Sequence, residues 1–215
     1  MSDCKNVDVD KVWMKRVRNL AGLMGMILPW LSLIGAILVA RTQGYPENFW
    51  KFLSISETYY VTPPLVGVLT TASVVLMCYK GYSTKDHVIS ALAGLFGLMI
   101  VLFPCECPAA GKIVGFFQLP VNISNIIHCA SAVAFFLLLS YMSLRQFTQG
   151  KDTPHKRIKN IIFRVCGIGM LCALALMVIP FEFFAKTFIV EAIALTFFGV
   201  SWLVKGEFLG LLSDD

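Results

Sequence analysis

The stretch ISNIIHCASAVAFFLLLSYMSL, residues 123–144, decides the fold. Its 22 residues include no Asp, Glu, Lys or Arg. At 1.5 Å per residue such a helix reaches about 33 Å, enough to cross the hydrocarbon core of a bilayer. The rest of the chain has the same character. Of its 215 residues, 57% are hydrophobic and only 14% charged, with a mean hydropathy of +0.75; soluble domains carry about 25% charge. Five further apolar runs lie at 19–40, 63–79, 87–103, 161–179 and 184–204. The expected fold is an all-α, polytopic integral membrane protein with six transmembrane helices. It forms a single membrane domain over 1–215: an N-terminal segment 1–18, a six-helix bundle 19–204 and a tail 205–215. The first run is too long for the core of a signal peptide and lacks a small-residue cleavage site, so it reads as a retained helix.

Lysine and arginine set the orientation, because they are retained on the cytoplasmic side. With six spans, fourteen of them fall on one side, including Arg18, Lys80, Lys156, Lys159 and Lys205. Four fall on the other: Arg41, Lys51, Lys112 and Lys186. Both termini are therefore expected in the cytoplasm, in the plasma membrane if the host is prokaryotic. The net charge of +5 then needs no nucleic acid to explain it. The most basic loop, KDTPHKRIKN at 151–160, reads as an orientation signal able to touch anionic lipid.

The outer loops differ in kind. RTQGYPENFWKFLSISETYY, residues 41–60, brings Tyr45, Phe49, Trp50, Phe52, Tyr59 and Tyr60 to the level where amphipathic rings are favoured. CECPAAGKIVGFFQLP, residues 105–120, is apolar enough to dip back toward the bilayer if its backbone is satisfied by protein or water. Both can roof a pocket.

Polar residues inside the spans mark the candidate site. If the fourth helix enters from outside at Ile123, His128 lies about 8 Å deep, with Ser124 and Asn125 on its side of the helix and Ser131 continuing the stripe. Lipid cannot return the hydrogen bonds these groups need, so the stripe must face protein or water. Glu191 of the sixth span lies about 10 Å deep, with Thr187 one turn nearer the surface. An intramembrane carboxylate is costly and is usually paired or turned to a cavity. His128 and Glu191 are therefore expected to share an outward-facing polar pocket with Ser124, Asn125 and Thr187, its upper wall formed by Ser54, Ser56, Glu57, Tyr59 and Tyr60. The competing reading is a His–Glu pair that ties two helices together. The small residues Ala21/Gly25, Ser90/Gly94/Gly97 and Gly169/Ala173 read as close helix contacts.

Chemistry is weakly signalled. No nucleophile elbow, P-loop, dinucleotide fingerprint or HExxH occurs. If the pocket is catalytic, His128 as base, Glu191 as its orienting partner and Ser56 as nucleophile would make a lipid hydrolase or an acyltransferase-like enzyme. His87 and His155 fall at the opposite end from His128, and no CxxC spacing occurs, so neither metal nor cofactor is expected. Cys105 and Cys107 face the oxidising side and are disulfide candidates, within the loop or between subunits.

FLSISETYYVTPP, HCASAVAFF and EAIALTFFGVSW together resemble the DRAM/Frag-type family of six-helix membrane proteins, with Pro63-Pro64 standing where that family has a proline-glutamate pair. Uncharacterised prokaryotic membrane proteins of similar hydropathy look alike too. The resemblance implies six helices and a role in lipid remodelling, autophagy or membrane homeostasis. Residues and resemblance together lead to a protein that binds or handles a lipid or small amphiphile, with membrane lipids as partners, a possible homo-oligomer and no nucleic acid. The alternative is an oligomeric membrane effector or pore.

The charge asymmetry predicts the topology. With native exposed cysteines replaced, cysteines introduced at Ser2 and Asp152 are shielded from an impermeant thiol reagent in intact cells, while one at Gly111 is labelled. Labelling at Asp152 would reverse the orientation.

Overall fold

A computed structural model describes residues 2–44, 54–150, 153–181, 183–210 and 212–213, with backbone alone for 2–11. The expected interfacial rings of Tyr45, Phe49, Trp50 and Phe52 lie outside the described residues. Among those described, six α-helices follow one another: α1 (Ser2–Thr42), α2 (Pro64–Cys78), α3 (Thr84–Leu102), α4 (Val121–Tyr141), α5 (Lys156–Val178) and α6 (Lys186–Lys205). A π-helical turn, Met142–Gln146, prolongs α4. Each helix packs on its neighbours in sequence, and α1 packs on α6 to close the ring.

Five helices, all but α2, are long and apolar enough to cross a membrane. The chain is an all-α, membrane-embedded protein. The helix α2 is apolar but has 15 residues, about 22 Å at the α-helical rise and short of a bilayer core. Its limits are local: Pro63 and Pro64 pre-set the first turn, where a missing N–H costs nothing, and the chain leaves the helix at Tyr79 in extended geometry. Ser83 starts α3 with a capping box, its hydroxyl accepting from the Asp86 amide while the Asp86 carboxylate accepts from the Ser83 amide. The first helix departs from expectation, starting at Ser2 instead of near residue 19. Residues 2–18 contain neither glycine nor proline, so nothing breaks the helix where the apolar run begins.

Small residues bring the helices together, as expected. A Cβ on Gly25 would lie 2.4 Å from the Phe198 ring, and one on Gly94 2.4 Å from the Ser73 carbonyl. The crossing of α1 and α6 is close on both sides, where Cβ atoms on Gly22 and Gly199 would each come within 2.9 Å of the other's carbonyl oxygen. Trp202, fully buried, fills the basic end of the core. Tyr79, Phe147 and Phe198 surround it at ring-centroid distances of 5.0, 5.2 and 5.9 Å. Trp30, Ile34, Leu38, Ile126 and Ile168 face outward, the apolar exterior that a bilayer, not water, accommodates.

At the basic end, Glu207, just beyond α6, gathers the chain. Its carboxylate accepts from Lys15 at 2.7 Å and Lys159 at 2.8 Å, joining α1, α5 and the tail. Burial pushes the carboxyl upward, but the hydrogen bonds and charges of Lys15 and Lys159 outweigh it and hold the group below its ordinary value of 4.5. A depressed carboxyl contributes stability that is full above the unfolded value and lost as pH falls through the folded one. The melting temperature in mild detergent is therefore expected to drop as pH falls below about 4.5, and Glu207→Gln should flatten that part of the profile. A profile identical in both proteins would show that the ion pairs do not contribute.

Candidate functional site

The expected polar residues gather at the opposite end of the bundle, in two hydrogen-bonded assemblies flanking one cavity. The first is built on a short 3₁₀ helix, Ser56–Tyr60. Ser54 and Glu57 make a reciprocal box around its start: the Glu57 amide donates to the Ser54 hydroxyl and the Ser54 amide to the Glu57 carboxylate, both at 2.9 Å. The S-x-x-E spacing of Ser54-Ile55-Ser56-Glu57 is a sequence signal for this turn. Ile55 is buried in the core. Glu191 of α6 then fastens the turn, accepting from the Ile55 amide at 2.5 Å and from the Ser56 hydroxyl at 2.9 Å. Burial raises the Glu57 carboxyl above its ordinary value, against the lowering effect of the Ser54 amide.

The second assembly caps α3. A helix leaves its last carbonyls without amide partners, and here Pro104 deepens the deficit, because proline has no N–H to offer the Ile100 carbonyl four residues back. His128 supplies it. Its Nδ1 lies 3.1 Å from the Ile100 carbonyl oxygen and 2.9 Å from that of Phe103. Carbonyl oxygens only accept, so Nδ1 carries the proton, and in the neutral ring Nε2 keeps its lone pair. Ser124 donates to the Pro104 carbonyl at 2.8 Å, Asn125 accepts from the Glu106 amide at 3.0 Å, and Tyr60 donates to the Cys105 carbonyl at 2.8 Å. The polar stripe of α4 thus satisfies backbone groups at the end of α3 and in the following loop. Beyond it a two-stranded antiparallel hairpin, β1 (Ile113–Val114) and β2 (Leu119–Pro120), exposes Phe116 and Phe117 at its tip. Gly115, at φ +74°, makes that hairpin possible, since a Cβ there would lie 2.7 Å from the Leu102 carbonyl.

Between these assemblies lies a cavity of about 300 Å³, lined by residues of α4, α5, α6, the 3₁₀ turn and the loop after α3. Ser54, Ser56, Glu57, His128, Thr187 and Glu191 line it. Tyr59, Tyr60, Ser124 and Asn125, expected in the same wall, do not border it; the last three hold backbone groups instead. The wall is apolar over most of its extent, with Phe136, Ala173, Met177 and Val190 on three helices. This corrects the expectation of a polar pocket: the polar groups sit at one end because buried polar atoms mostly bond the backbone around them. A smaller hollow of about 50 Å³ shares Ser56, Ala132, Phe136 and Glu191 with it.

His128 and Glu191 therefore share a cavity without forming a pair, each bonded to a different backbone segment. Nor do Ser56, His128 and Glu191 have the order of a relay: the serine hydroxyl donates directly to the carboxylate, and the histidine Nδ1 faces carbonyls where an acid would stand. No group of three His, Cys, Asp or Glu able to hold a metal occurs among the described residues. Cys105 and Cys107 are both free thiols, one buried and the other half-buried. Burial pushes the Cys105 thiol upward, reinforced by the Glu191 and Cys107 charges. A bridge between subunits would have to use Cys107, since Cys105 is enclosed.

Comparison with protein-family models, curated proteins and solved structures finds no match to this chain.

Because His128 and Glu191 share no hydrogen-bond partner, their substitutions should lack the coupling of a direct pair and interact only through the cavity they both line. His128→Ala leaves the α3 carbonyls unmet and Glu191→Ala frees the Ile55 amide, each at about 1 to 3 kcal/mol. The double variant should fall within about 1 kcal/mol of the sum of the singles, the margin left by the shared cavity. Denaturation of the four proteins in one detergent checks this; a double variant much less damaged than the sum would restore the direct pair.

Proposed function

We propose that this protein binds an amphiphile in the cavity between α4, α5 and α6, its tail along the apolar wall and its head at the polar end. The observation that carries the reading is the composition of that cavity: an apolar wall with His128, Glu57 and Glu191 gathered at one end. Its volume of about 300 Å³ sits at the lower edge of what small-molecule pockets occupy, room for a head and part of a chain. Glu57, Glu106 and Glu191 line it, and among the described lining residues there is no lysine or arginine. Such a lining suits a head that is cationic or rich in donors, an amine above all, and disfavours a bare phosphate. The unprotonated Nε2 of His128 adds an acceptor of the same preference.

Access is lateral. Cys129, Val133 and Met177 line the cavity and are also exposed on the outside of the bundle, so a chain can enter from the surrounding lipid without first crossing water. The same route would bring a bilayer lipid of amine headgroup to Glu191.

Native mass spectrometry of protein released from mild detergent tests the proposal. The wild type should retain a lipid-sized adduct. Val133→Trp, which fills the mouth from an exposed position, should lose most of it without a fall in melting temperature, and Glu191→Gln should weaken retention of amine-headed lipid several-fold. Equal retention by both variants and the wild type would sink the reading.

A further inference from the structure

The basic end of the bundle holds a second cavity, of about 170 Å³, lined by residues of α1, α5 and α6, by the α2–α3 and α4–α5 connections and by Glu207 beyond α6. Arg18, Lys156, Lys159 and Lys205 border it, and Glu207 is the one carboxylate among the described lining residues. Glu207 is already shared by Lys15 and Lys159. Arg18 and Lys205 have no carboxylate partner among the described residues. Lys205 is held by neutral acceptors: its ammonium donates to the Tyr82 hydroxyl at 2.8 Å and the Phe147 carbonyl at 3.3 Å, and stands 4.7 Å from the centre of the Tyr82 ring. An ammonium has three donors, so one remains. Arg18 sits with its guanidinium 5.6 Å from the Tyr79 ring centre and hydrogen-bonds to the Tyr79 side chain, while its Nε is buried without a hydrogen-bond partner among the described residues. An unmet buried donor costs free energy, and the cations beside this walled cavity repel one another, a repulsion that the Glu207 carboxylate in the same lining offsets only in part.

We propose that this cavity binds a phosphate-type anion between Arg18 and Lys205, with Lys156 and Lys159 adding charge at its rim. A tetrahedral oxyanion offers acceptors to both the guanidinium and the ammonium at once. It could arrive as a free phosphate or as the headgroup of an anionic lipid, since both carry the same group. Orientation alone would explain basic residues in the loop; it does not explain why Arg18 of α1 and Lys205 of α6 line one walled cavity, neither with a carboxylate partner among the described residues. The site lies at the opposite end from the acid-lined cavity and does not depend on its occupant.

The full chain in mild detergent, followed by tryptophan fluorescence on heating, reads occupancy, because Trp202 packs on Phe147, whose carbonyl holds Lys205. Inorganic phosphate should raise the melting temperature saturably by several degrees if the free anion is the ligand, with chloride at matched ionic strength giving no such rise. If the ligand is a headgroup, the rise should come only in nanodiscs containing phosphatidylglycerol, compared with phosphatidylcholine alone. Either result supports the site provided Lys205→Met and Arg18→Gln each diminish the rise at least several-fold, while Val133→Trp leaves it intact. Should Lys205→Met fail to fold, Arg18→Gln decides. No rise in either setting, an equal rise with chloride, or an undiminished rise in the variants overturns the proposal.

Discussion

The carboxylate of Glu191 is the contact on which the acidic end of the bundle depends. It reaches from the second turn of α6 to a backbone amide and a hydroxyl more than 130 residues earlier in the chain. Without it, the Ile55 amide and Ser56 hydroxyl would be left polar and unpaired at the edge of an apolar core, and the turn that seats Ile55 in that core would lose its anchor. Because α6 also packs against α1 and α5, the same contact ties the loop after α1 to the helix that closes the ring. An acid within a span is expensive, and here its cost is offset by donors brought to it by the fold.

The same economy of polar groups governs α3 and α4. Pro104 ends α3 abruptly and leaves the Ile100 carbonyl without its usual amide, and α4 answers with His128 and Ser124 as donors to the carbonyls there and Asn125 as acceptor for the Glu106 amide. His128, Ser124 and Asn125 are therefore explained first as backbone partners. The cavity is a consequence of this arrangement: with their bonding atoms turned to the loop and to α3, His128 and Glu191 leave their remaining surface toward a space that the small side chains Ala132, Ala173 and Ala194 do not fill.

Charge divides the two ends of the bundle. At one, three glutamates line a mostly apolar cavity; at the other, four cations line a polar one around a single described carboxylate. Between them lies a core of aromatic rings and small-residue crossings, so the two sites share helices α5 and α6 but no lining residue. Cavity linings of opposite charge at opposite ends of one bundle are compatible with a protein seated across a bilayer whose two faces differ.

Much of this was legible in the residues. Hydrophobic runs free of charge specify apolar helices without reference to anything else in the chain, because the bilayer demands local satisfaction of every backbone group, and small residues marked helix contacts for the same local reason. Counting along the helices led to His128 and Glu191 as neighbours, and both line one cavity. What they bond to could not be read that way. The partner of His128 is the Ile100 carbonyl, orphaned by a proline four residues on, and the partner of Glu191 is a turn at the far end of an intervening loop. Both depend on how helices distant in sequence rotate about their axes when they pack. The basic cavity was hidden for the same reason: composition revealed the excess of lysine and arginine, but only the closing of α1 against α6 brings Arg18 and Lys205 to one space. Periodicity and apolarity are properties of a segment, so the sequence by itself determined the helices; hydrogen-bond partners and cavities are properties of pairs of segments, and those the tertiary packing decided.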